Sequence, residues 1–167
     1  MSSIQSQIED QLRRGSNRDA GLQQVLHLVL AEFQSETGTI HRLDPERQQL
    51  HLLAQIGLPP ALMEVVRQIP VGKGIAGQTV ARGGPVSICN LQTDSSGTAR
   101  PGARQTGVGG ALCVPLRAGE TIVGTLGVGT IRQYEYTADQ ARLLEDIGRI
   151  IGAGLSETGS PRAPATG

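Results

Sequence analysis

The 167-residue sequence has no tryptophan, one phenylalanine (Phe33) and two tyrosines (Tyr134 and Tyr136). That leaves too few rings for a binding surface built on stacked aromatics. It has no net charge, with 15 basic and 15 acidic side chains, so nothing marks the whole chain as a polyanion binder. Two cysteines, Cys89 and Cys113, are too few for a secreted disulfide framework. No run reaches the roughly 20 apolar residues of a membrane span, and the longest, Val25 to Ala31, is interrupted by His27. The start, Met1-Ser2-Ser3-Ile4-Gln5, lacks the basic region and apolar stretch of a secretory signal. A cytoplasmic protein is expected, without membrane or nucleic-acid partners.

Leu, Ile, Val and Phe supply 42 of 167 residues, enough for a packed core and against wholesale disorder. Glycine is frequent, at 23 residues, but without the three-residue period of collagen. Charge is unevenly placed. Between Val65 and Gly119 there are six bases (Arg67, Lys73, Arg82, Arg100, Arg104 and Arg117) against one acid, Asp94.

Ile4, Ile8 and Leu12 fall four apart and predict a short amphipathic helix before Gly15. Leu22, Val25, Leu26, Val29 and Phe33 keep to one face of a second helix, with candidate caps at Ser16, Asn17 and Asp19. Thr39 to Leu43 and Leu50 to Ile56 read as a hairpin around Asp44-Pro45-Glu46-Arg47. A helix is expected over Ala61 to Gln68 with Pro60 at its first position, another over Gly77 to Arg82, and a strand over Val86 to Cys89. Asn90 to Gly110 has no apolar periodicity, and a loop of about 20 residues inside a compact domain is often a lid. Strands follow over Ala111 to Arg117 and Thr121 to Thr130, the latter with Gly127 and Gly129 leaving one face bare for a helix to approach. Thr137-Ala138-Asp139-Gln140 forms a capping box ahead of a helix with an apolar stripe from Ala141 to Leu155. The organisation expected is a helical extension over 1–15, a domain over 16–155 and a flexible tail over 156–167.

Gly72-Lys73-Gly74-Ile75-Ala76-Gly77 spells GxGxxG. Pro70 occupies the place of the buried strand that a dinucleotide fold needs, so the motif reads as a strand-to-helix turn, with a turn bordering a ligand site as the alternative. His27, His41 and His51 have no acidic or cysteine partner at metal-ligand spacing and read as hairpin or helix-face residues, with no metal site expected. Cys89 and Cys113 read as small buried hydrophobes on strands that could be neighbours, with a redox pair as the alternative.

Five stretches in order, Ile69 to Gly77, Gly84-Pro85-Val86, Ala111 to Leu116, Ile122 to Val128 and Tyr136 to Gln140, resemble a GAF domain over about Leu22 to Leu155. The resemblance implies an α+β fold: a central antiparallel sheet of five or six strands, terminal helices on one face, short helices and a lid loop on the other, and a small-molecule pocket beneath the lid. It further implies a sensing module, non-catalytic, in signal transduction. The Asn-Lys pair of cyclic-nucleotide-binding members is missing at Val128-Gly129-Thr130. Ala76 stands where free methionine sulfoxide reductases carry a cysteine, and the lid has none.

The candidate ligand-binding residues lie in and beside the lid: Cys89, Asn90, Asp94, Arg100, Arg104, Thr106 and Cys113. Arg100 and Arg104, opposed only by Asp94, suit a small anion through their two-pronged donors. No cofactor is named by the sequence. The expected partners are that small molecule, a second copy through the terminal helices, and a separate signalling protein. Two alternatives stand beside the sensor: a dimeric protein-interaction module with a closed pocket, and a free methionine-R-sulfoxide reductase-like enzyme.

Overall fold

A computed structural model describes residues 3–14, 18–88 and 109–159. Strands β1 (Thr37–Asp44) and β2 (Gln49–Ile56) form the expected hairpin, and Asp44 Oδ1 accepts the backbone N–H groups of Glu46 and Arg47 at 3.1 and 3.2 Å to shape its turn. With β3 (Gln68–Pro70), β4 (Val86–Ile88), β5 (Ala111–Ala118) and β6 (Thr121–Gly129) they make a curled six-stranded sheet in the order β3-β2-β1-β6-β5-β4. All pairings are antiparallel, so the fold class is the α+β arrangement expected from the sequence.

Helices α1 (Ile4–Arg14), α2 (Arg18–Phe33) and α5 (Ala138–Gly159) cover one face. Their apolar stripes meet the inward positions of the strands in one core: Ile8, Leu22, Leu26 and Phe33 with Leu144, Ile147 and Ile151, against Ile40, Leu112, Val114, Leu116, Leu126 and Val128. The capping box forms as the residue types demand. Gln140 N donates to Thr137 Oγ1 at 3.1 Å, and Thr137 N donates to Gln140 Oε1 at 2.8 Å. The Tyr134 hydroxyl also donates to Gln140 Oε1, at 3.0 Å, tying the loop before α5 to its first turn.

The opposite face carries α3 (Met63–Arg67), entered through a 3-10 turn at Pro60–Leu62, and α4 (Gly74–Arg82). Two expectations change here. The helix expected over Ala61 to Gln68 splits into that turn and α3, and Gln68 begins β3, a three-residue edge strand on which Pro70, lacking an N–H, is tolerated. The next helix starts at Gly74, three residues early. The GxGxxG segment closes it as a turn, with Gly72 and Gly74 at φ +90 and +67° and Gly72 N donating to Gly77 O at 2.8 Å.

A third difference concerns which glycines admit a helix. Gly127 was expected to let one approach, but the atoms nearest a Cβ there are cross-strand neighbours, Thr39 Oγ1 at 3.3 Å and Cys113 Sγ at 3.7 Å. The close approach lies on the other face and is made by the helix. A Cβ on Gly148 of α5 would lie 2.8 Å from the Pro115 carbonyl of β5, and one on Gly152 would run into the Arg117 backbone. A one-turn repeat of small residues on the helix thus sets its distance from the strand.

Gly152→Ala should therefore lower Tm by several degrees, since overpacking costs about 1–3 kcal/mol and each kcal/mol moves Tm by about 2–4 °C at this size. Gly154→Ala, whose Cβ meets only Leu12 Cδ1 at 3.5 Å, should leave Tm unchanged or raise it. Differential scanning calorimetry of the two variants decides, and equal effects would refute the glycine contact.

Candidate functional site

Because the inner face is closed by aliphatic packing, polar chemistry on the sheet is confined to the outer face. Pairing register assigns its rows. Thr39, Gly127, Cys113 and Val86 lie side by side across β1, β6, β5 and β4. In the next row His41 stands beside Thr125, and Thr125 beside Pro115. The ends of this face are filled by apolar side chains, among them Leu50, Leu62 and Ile69 towards β3 and Val86 and Ile88 in β4. The middle is different: Thr39 and Gly127 are only half-buried, while the threonines and the histidine between the apolar ends are polar.

His41 is 1% exposed. Its Nε2 lies 2.8 Å from the Val66 carbonyl at the end of α3 and donates to it, so the imidazole pins this helix to the sheet. Burial pushes its pKa down to about 4; the Val66 bond opposes that shift and nearby His51 adds to it. Thr79 of α4 donates its hydroxyl to Ile75 O at 2.8 Å and is fully buried beside the sheet. Burial pushes the Cys113 thiol up to about 11, against weaker opposing contributions from Thr79, Thr125 and the Val114 backbone. At neutral pH the sulfur is a thiol, a poor nucleophile and a poor metal ligand. Among the described residues no three His, Cys, Asp or Glu side chains gather where a metal could sit.

Of the candidates read from the sequence, Cys113 is placed on the outer face, buried, with its sulfur against the threonines. Cys89, Asn90, Asp94, Arg100, Arg104 and Thr106 lie outside the described residues, as do residues 90–108 of the expected lid and the suggested caps Ser16 and Asn17. The described members of the basic stretch are accounted for otherwise. Arg67 pairs with Glu64 at 3.3 Å, Arg117 donates to the Gly83 carbonyl at 2.5 Å, and Lys73 and Arg82 are exposed. His41 was read as a hairpin or helix-face residue without a site role, and Thr125 and Thr79 were not singled out. For His41 and Thr125 the signal in the sequence was alternation: Thr39 and His41 stand two apart in β1, as do Thr125 and Gly127 in β6, which puts each pair on one face.

Comparison with known proteins gives a consistent picture. A family profile described as "GAF domain" matches residues 16–156. No curated protein matches the chain. Among solved structures, the GAF domain from a phosphoenolpyruvate-protein phosphotransferase of Coxiella burnetii superimposes with a TM-score of 0.79 at 16% identity, over 94% of this chain and 93% of that one. The free methionine-R-sulfoxide reductase of Neisseria meningitidis, solved with its substrate, superimposes with a TM-score of 0.76 at 18% identity, over 93% and 88%. The fRMsr of Staphylococcus aureus in its reduced form gives 0.70 at 19% identity, over 93% and 99%. At such identities the likeness establishes the fold alone. It nevertheless overturns the expectation that the chain is not an enzyme: several of the structures sharing this fold over nearly their whole length are reductases, so the fold gives no ground for excluding catalysis. Among the described residues no helix is long and apolar enough to cross a membrane.

The His41 environment carries a pH signature. A pKa depressed to about 4 from 6.5 means that the unfolded chain binds the proton more tightly. The stabilisation is therefore present above pH 6.5 and is lost as pH falls through about 4, on the order of 3 kcal/mol in all. Urea unfolding between pH 7 and 4 should show this loss, and His41→Gln should flatten it. Equal slopes in the two proteins would contradict the assignment.

Proposed function

The chain belongs to the GAF domain family, and from that premise we propose that it is a regulatory domain whose small-molecule ligand sits on the outer face of the sheet beneath the segment 89–108. The observation that supports this most is the contrast between the faces. One is sealed by aliphatic side chains from three helices, while the other keeps half-buried Thr39 and Gly127 between buried polar groups. Arg100 and Arg104 belong to the segment that would close over this floor, and in this reading they hold an anionic group of the ligand through bidentate bonds. Cys89, Asn90, Asp94 and Thr106 are the other candidate contacts from the segment, and Cys113 belongs to the floor.

Ligand occupancy would be transmitted through the sheet to α1, α2 and α5. Half-buried Leu28, Leu143 and Ile150 on α2 and α5 support a role for this layer in meeting a second copy or a signalling protein in the cytoplasm. The fold's likeness to reductases makes turnover part of the test. Reduction of a sulfoxide needs a thiolate beside it and a second thiol to resolve the product. Cys113, with its pKa raised to about 11, does not offer that thiolate.

The experiment is a thermal-shift panel of nucleotides, cyclic nucleotides, 2-oxo acids and amino acids, run beside an assay of free methionine-R-sulfoxide consumption with a dithiol reductant. A true ligand at 100 times its Kd adds about 2.7 kcal/mol, a rise of roughly 5–10 °C. Arg100→Ala with Arg104→Ala should abolish the rise for an anion. A shift that survives the double substitution would refute the arginine contact. Sulfoxide turnover would replace the regulatory reading with an enzymatic one.

A further inference from the structure

His41 and Thr125 are direct cross-strand partners on β1 and β6, so both side chains leave the outer face of the sheet, with Cβ atoms about 5 Å apart. The proton of the neutral imidazole is committed: Nε2 donates to the Val66 carbonyl at 2.8 Å. That leaves Nδ1 as a bare acceptor. Among the described residues neither Nδ1 nor Thr125 Oγ1 has an oxygen or nitrogen partner, the Cys113 sulfur being the one polar neighbour of Thr125, and both atoms are shut off from bulk solvent. The residues are 1% and 0% exposed. Nearby groups do not fill the gap. The Thr79 hydroxyl is spent on Ile75 O, and the Cys113 sulfur is only a weak acceptor for Thr125 and does not complete Nδ1.

Buried polar atoms in folded proteins are nearly always paired, and an exception points to a group that completes them. Here two such atoms face the same side of one ladder rung. One can only accept; the other can donate or accept. Their shared complement is a small group that gives one hydrogen bond and takes another.

We infer that a neutral O–H or N–H group lodges between His41 Nδ1 and Thr125 Oγ1, donating to the ring nitrogen and accepting from the hydroxyl. Water meets this description, and so does the hydroxyl or amide of a bound metabolite. A carboxylate or phosphate oxygen does not, because it has no proton to give and would meet the Nδ1 lone pair. To accommodate an anion at this point His41 would have to carry a proton on Nδ1, either as an imidazolium buried in the centre of the sheet or as the other tautomer, which surrenders the Val66 carbonyl at the end of α3. His41 is thus a specificity-determining residue: it admits a donor at the centre of the sheet and leaves any anionic group of a ligand to be held elsewhere. The inference shares its sheet face with the proposed function but not its evidence, since the lodged group is required whether or not a regulatory ligand binds. A null thermal-shift panel would therefore leave it standing.

The test uses the full chain with 15N-labelled histidine. Long-range proton–nitrogen correlation should show His41 protonated at Nε2, with Nδ1 shielded relative to an unbonded pyridine-type nitrogen. Nuclear Overhauser contacts from the Thr125 methyl or the His41 ring to the water signal identify the group as water. Contacts to carbon-bound protons of a co-purified molecule identify it as a metabolite. Thr125→Val, which keeps the shape and removes the hydroxyl, should move Nδ1 towards the unbonded position and lower Tm by about 2–4 °C. An Nδ1 signal at the unbonded position without such contacts would overturn the inference. So would a Thr125→Val protein whose Tm is unchanged or higher, as deletion of an idle hydroxyl predicts. If the variant does not fold, the spectrum of the unsubstituted chain decides alone.

Discussion

The seat of α5 on β5 governs what the two faces of this sheet can do. With Gly148 and Gly152 turned to the strand, the helix axis comes within reach of the Pro115 and Arg117 backbone, where any Cβ would intervene. At that distance Leu144, Ile147 and Ile151 join Leu112, Val114 and Leu116 in one buried apolar cluster. Gly38 repeats the device on a smaller scale, since a Cβ there would press on Leu26 and Leu30 of α2 at 3.0 and 2.9 Å. One side of the sheet is committed to the apolar core, which is why the proposed site is placed on the other.

On that other side the packing is uneven in an informative way. Apolar residues close its ends, so α3, β3 and β4 are held by ordinary burial. The middle is polar and is secured by single directional bonds: His41 to Val66, and Thr79 to its own helix. A histidine kept neutral by burial is costly to place in a sheet unless both nitrogens are satisfied. One nitrogen fastens α3 through the Val66 carbonyl, and the other, on the same face of the sheet, is the one for which the lodged donor is inferred. Cys113 belongs to this environment as a buried thiol whose pKa is pushed up to about 11.

Much of the fold was legible because its signals are local. The Thr137–Gln140 box, the Asp44 turn and the stripes of α2 and α5 are each written within a few residues, and each formed where the pattern placed it. What was missed depends on contacts between distant segments. A three-residue edge strand has too little sequence to show alternation, so β3 was missed and its first residue, Gln68, was read as the end of a helix. Gly127 and Gly148 look alike in a string of letters, and only the packed fold shows that Gly148, on α5, is the one that brings a helix against a strand. His41 was read without a site role for a related reason. A metal-ligand search looks for neighbours in sequence, whereas its partners, Val66 and Thr125, lie 25 and 84 positions away. Most candidate contacts fell in 89–108, outside the described residues, so the proposed floor is argued from the register of the sheet and the proposed roof from the sequence.

The account stands on the outer face being the receiving surface. Amide chemical-shift mapping of the 15N-labelled chain, titrated with the compound that gives the largest thermal shift, addresses this most directly. The perturbed amides should cluster at Thr39, His41, Cys113, Thr125 and Gly127 and fade towards α1, α2 and α5. Perturbations centred on the helical layer, with those five residues silent, would contradict it.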